Sequence, residues 1–108
     1  MDDSNQIVVP PSFVALYATP SGYRLIEPMA VVRERYELCE DLAQMLTDQA
    51  ATAQFKSGGG ERAVLASIRA GLAGEGSPVS ASEAQWVAVR LAELLGWEAP
   101  AVPGDAAA

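Results

Sequence analysis

The chain contains no histidine and a single cysteine, Cys39. Nucleophilic triads, zinc sites and most proton shuttles draw on those two residue types, so the commonest catalytic constellations are excluded. A lone cysteine cannot close an internal disulfide, and no cationic, apolar leader opens the sequence, so a secretory route is not expected. Basic residues are scarce as well: 7 against 14 acidic, a net charge of −7. A field of that sign repels phosphate backbones and anionic lipid surfaces, so nucleic acid and membranes are not expected partners. No apolar run approaches the roughly 20 residues that span a bilayer. Together these absences predict a soluble, cytoplasmic protein.

What the chain does have is helix-forming sequence. Its 108 residues fit one domain, and 50% of them are hydrophobic. Many of those are alanines, so the core must depend on few large side chains. Residues 1–6 are polar without a hydrophobic period, and 99–108 mix proline, glycine and alanine, so both ends are expected to be disordered. That leaves 7–98 as a single helical domain.

Pro10 and Pro11 follow an apolar stretch that begins extended, because a residue before proline is pushed away from helix. Pro11 suits the first position of a short helix over 11–17, which would place Phe13 and Tyr17 on one face. A competing reading makes 13–18 and 23–27 a hairpin around Thr19-Pro20-Ser21-Gly22, which carries good turn chemistry.

From Pro28 to about Gln54 there is no further proline or glycine, which predicts a helix on the order of 40 Å long. Val31, Val32, Tyr36, Leu38, Cys39, Leu42, Ala43, Met45, Leu46 and Ala50 fall at spacings of three and four, as one broad apolar stripe. Gly58-Gly59-Gly60 breaks that helix. A third helix is expected over 61–73, with Val64, Leu65, Ile68 and Leu72 on one face. Ser80-Ala81-Ser82-Glu83 then matches a capping box, and Gly96 sits where a left-handed C-terminal residue is wanted. Between them Ala84, Val87, Leu91, Leu94 and Leu95 form the core stripe of a fourth segment. The expected fold is all-α: a small bundle of three main helices with the N-terminal segment, extended then a short helix, packed on it.

The glycines before the third helix could present backbone N–H groups to an anion. A phosphate loop, however, places lysine and a hydroxyl after its glycines. Here Glu61 and Arg62 follow, and the stretch reads as a flexible linker. The last two helices stand about seven residues apart and the later one is not basic, which argues against a helix-turn-helix DNA reader.

Glu34, Glu37, Glu40 and Asp41 crowd one region of the long helix. One helix surface converges poorly on a cation, so a solvated acidic face is expected, with a basic partner surface as its functional reading. Cys39 lies in the apolar stripe and is expected to be a buried small hydrophobe. Trp86 and Arg90 stand one turn apart, a spacing suited to a cation–π contact, with closure of the core's side as the plainer role for the ring.

Residues 8–17, 35–46 and 90–97 resemble a family of small uncharacterised proteobacterial proteins whose members often carry the label of an ATPase with chaperone activity. That resemblance brings no catalytic or binding residues with it. The label implies at most association with a chaperone or protease ATPase, because a phosphate loop and an acidic strand end for magnesium are both missing here.

No catalytic, cofactor or metal-binding residue is therefore assigned. The expected function is a non-enzymatic interaction module or adaptor, binding a protein partner or a second copy, with Phe13, Tyr17, Glu37, Glu40, Asp41 and Trp86 as candidate contacts. The alternative is a small-ligand or nucleotide sensor without hydrolytic activity.

Overall fold

The structure, a computed structural model, describes residues 8–22, 24–58 and 60–98. The segments 1–6 and 99–108, for which disorder is expected, lie outside the described residues. Helix accounts for 72% of what is described, and the fold is a small all-α bundle. In chain order it has α1 (Pro11–Val14) running into a 3₁₀ turn (Ala15–Tyr17), α2 (Met29–Ser57), α3 (Glu61–Ala73) and α4 (Ala81–Leu95). Contacts divide the chain into two compact units, Met1–Leu38 and Cys39–Ala108, with α2 running through both.

In the first unit, Pro11 opens α1 as expected: the Pro10 carbonyl accepts from the N–H groups of Phe13 (3.0 Å) and Val14 (3.1 Å). Of the two alternatives the short helix forms; the competing hairpin, which would make 13–18 a strand, leaves only its turn and a single bridge after the helix. After Tyr17 the chain enters a turn in which the Gly22 N–H donates to the Thr19 carbonyl (2.8 Å). Gly22 takes φ +82°, a value closed to most side chains. Ala18 and Leu25 then form an antiparallel bridge, flanked by bonds from Thr19 N–H to the Arg24 carbonyl and from Ile26 N–H to the Tyr17 carbonyl, both 2.7 Å. Proline at the second position of the turn supplies the fixed φ that such a reversal needs. One bridge is too short to be a strand, so the all-helical class stands.

In the second unit, Ala50, Val64, Leu65, Leu91 and Ala92 are buried together, with Leu46, Ile68, Leu95 and Trp97 packed around them. The buried line of α2 is narrower than the broad stripe its apolar residues suggest. Cys39, Ala43 and Ala50 are fully buried and Leu46 partly so, whereas Met45 is 73% exposed. The helical angle explains the difference. Met45 sits about 200° round the helix from Ala43, on the opposite side. Cys39 is buried, as its place in the stripe predicts.

The ends of α4 follow the sequence signals closely. Ser80 Oγ accepts from the Glu83 N–H (3.1 Å) while Glu83 Oε1 accepts from the Ser80 N–H (2.9 Å), completing the capping box. At the other end Gly96 takes φ +74°. The Trp97 N–H reaches back to the Ala92 carbonyl at 2.8 Å and Gly96 N–H to that of Glu93 at 3.3 Å, the paired bonds of a Schellman ending. Ser80→Ala removes the acceptor for one N-terminal amide and should cost about 0.5–2 kcal/mol. Urea unfolding followed by circular dichroism measures this, and an unchanged midpoint would mean the cap contributes nothing.

Candidate functional site

The residues singled out as partner contacts fall into separate environments. Phe13 is fully buried, its ring centroid 5.8 Å from that of Tyr17 and 5.7 Å, edge-on, from that of Tyr36. A ring so enclosed is core and offers no surface to a partner. The expectation of a Phe13/Tyr17 docking face is corrected by that burial, with Tyr17 half-buried beside it. Trp86 is 8% exposed and likewise closes the core. The plainer of its two expected roles holds.

The guanidinium of Arg90 is held by carboxylates. Its Nε donates to Glu40 Oε1 (2.9 Å) and Nη2 to Glu40 Oε2 (3.0 Å), a two-pronged bond between α4 and α2. Nη1 donates to Glu93 Oε1 at 3.0 Å. Planar guanidinium and carboxylate match in this arrangement, so the pair fixes orientation as well as charge. The Arg90 bond holds the Glu40 carboxyl below its usual range, against an opposing effect of partial burial, and the Gln44 amide helps it. Glu40 is thus a strut inside the second unit, engaged by its own chain. Glu37 and Asp41 remain exposed. Among the described residues no group of three or more carboxylates and thiols could hold a metal ion.

A different surface stands out on the geometry, and the sequence reading missed it. The final turns of α2, residues 51–57, are exposed except for a half-buried Gln54. From Cys39 onward α2 runs on the order of 28 Å, whereas α3 and α4 are about 20 and 22 Å long. On this length of α2 lie Met45 and Phe55, 73% and 84% exposed. On the same face Asp48, Gln49, Thr52, Ala53 and Lys56 line an open trough of about 450 Å³. All these residues fall within about 160° of the helix circumference, on the side away from the Cys39–Ala43–Ala50 line. One signal in the sequence could have found it: Phe55 lies off the buried stripe, three residues before the first of the glycines that stop the helix.

Fold and surface together define an all-α bundle whose longest helix presents an uncovered, partly apolar face. Neither a family model, nor a curated protein, nor a solved structure matches the chain. Among the described residues no helix is long and apolar enough to cross a membrane.

Proposed function

We propose that the chain is a non-enzymatic interaction module, a small acidic cytoplasmic domain that acts by binding another protein or a second copy of itself. One observation carries this reading: the Phe55 ring stands 84% exposed beside an open trough on a helix face that its own fold leaves bare. Scattered exposed apolar residues are ordinary, but a bulky aromatic next to an open, mixed-polarity helix face is the composition of a contact site. The absence of histidine and the lone buried cysteine also favour binding over chemistry. In the ATPase label of the resembling family, association with an ATPase assembly is the part that fits. Glu61 and Arg62 stand where a phosphate loop would place its lysine and hydroxyl.

Affinity capture from the native cytoplasm, run beside an ATP-turnover assay on the purified chain, tests this. The expected result is a stoichiometric protein partner or self-association, with no hydrolysis above background. Sustained turnover by protein freed of contaminating ATPases would overturn it.

A further inference from the structure

We propose that the exposed face of α2 pairs with the same face of a second copy of this chain, the two helices antiparallel about a two-fold axis at Thr52. The inference rests on the interaction reading above and names its partner.

The argument begins with two charges. Asp48 and Lys56 line the same trough. They are eight residues apart, about 12 Å along the helix axis, too far to pair with one another. Neither makes an ion pair elsewhere among the described residues. Each stands one helical step of four residues from Thr52, one on either side. At about 100° per residue they also lie about 40° to the left and right of it around the helix. An antiparallel two-fold inverts position along the helix, so residues at equal distances on either side of Thr52 come to the same level across the interface. In the antiparallel pair, Asp48 of each copy meets Lys56 of the other, so the dimer holds two such ion pairs and each charge is matched once.

The uncharged residues obey the same symmetry. Gln49 and Phe55 lie three residues before and after Thr52, about 60° to either side. Pairing therefore brings the Phe55 ring of each copy to the trough of the other. Thr52 and Ala53 are small enough to let the two backbones approach. A parallel arrangement would instead set Asp48 against Asp48 and Lys56 against Lys56.

The face is limited to a few turns of one helix, so the pair is expected at the small end of specific interfaces and exchanges readily with monomer. The net charge of −7 on each copy opposes association at long range. Physiological salt screens that repulsion over about 8 Å while leaving the direct contacts less affected.

Sedimentation equilibrium of the full chain at physiological salt, over a wide concentration range, is the test. The mass is expected to rise with concentration from 11.3 kDa toward twice that value. Asp48→Lys and Lys56→Glu should each weaken association by about tenfold, because each turns two attractions into two repulsions. The swap Asp48→Lys with Lys56→Asp should restore it, and Phe55→Ser should abolish it. All these positions are exposed, so circular dichroism should report an unchanged fold in each variant.

A chain that stays monomeric throughout overturns the proposal. So does a dimer indifferent to these changes, or a swap that fails to rescue. Total charge alone predicts that Asp48→Lys, which lowers the net negative charge, would strengthen association while Lys56→Glu weakens it; that pattern also overturns the pairing. A monomer that still captures a different protein sinks the self-pairing and leaves the interaction reading standing.

Discussion

Phe13→Ala should destabilise the protein by about 3–5 kcal/mol, the usual cost of removing a buried aromatic. The ring is fully enclosed and meets Tyr17 and Tyr36 edge-on or tilted, so truncation empties a cavity and removes two aromatic contacts. The segment it anchors is only one turn of α-helix and one of 3₁₀, too short to persist on local bonding. Its detachment should therefore accompany the loss of packing. Urea denaturation gives the magnitude, and the near-ultraviolet dichroism of the tyrosines reports the local loss. Phe13→Leu, which keeps most of the volume, should cost much less. An unchanged midpoint for the alanine variant would mean that the ring is not part of the core.

Leu91→Ala should be comparably severe, about 2–5 kcal/mol. Leu91 is fully buried at the centre of the second unit, between Ala50, Val64, Leu65 and Ala92. Two of those four neighbours are alanines, whose methyl groups cannot swing into a vacated space, and the upper half of the range is expected. A domain of this size has a total stability of about 5–15 kcal/mol, so the loss is a large fraction of it. Leu94→Ala, at a half-buried position on the same helix, is the comparison. If the two variants melt alike, the Leu91 cluster is not the centre of this unit.

The sequence was most readable where local chemistry decides the structure. Ser80 and Glu83 with Gly96 mark α4 to the residue, and Glu61 and Ala73 bound α3 as read, because caps and glycines act over one turn of chain. The reversal after Tyr17 was half readable. Its turn residues and its helix-starting proline are both strong local signals, and nothing local says that they operate in succession. Periodicity located α2, ending it three residues short, and misjudged its width. It counts Met45 with Leu42 and Leu46, while burial depends on how far neighbouring helices reach around the circumference.

The candidate surface was less legible for a related reason. Phe13 and Trp86 attract attention as aromatics, yet enclosure is a tertiary outcome and both are enclosed. Phe55 was passed over because the helix was expected to end near Gln54, whereas it continues to Ser57. Those three residues add most of a turn and carry the ring onto the face of Met45, Asp48 and Thr52. Glu40 read as part of a solvated acidic row, and only its long-range partner Arg90 makes it a strut.

Alanine is the commonest buried residue of the second unit: Ala43, Ala50, Ala84, Ala88 and Ala92 have no exposure at all. A core so rich in alanine hides less hydrocarbon per residue than one of leucine and isoleucine alone, and its share of hidden peptide groups is correspondingly larger. Apolar exposure raises the heat capacity of the unfolded chain and polar exposure lowers it. The heat-capacity step on melting should therefore fall below the ~12–15 cal/mol/K per residue common to globular domains. Free energy then curves gently with temperature. Such a domain is only moderately stable at its best temperature, and it loses that stability slowly on warming or cooling.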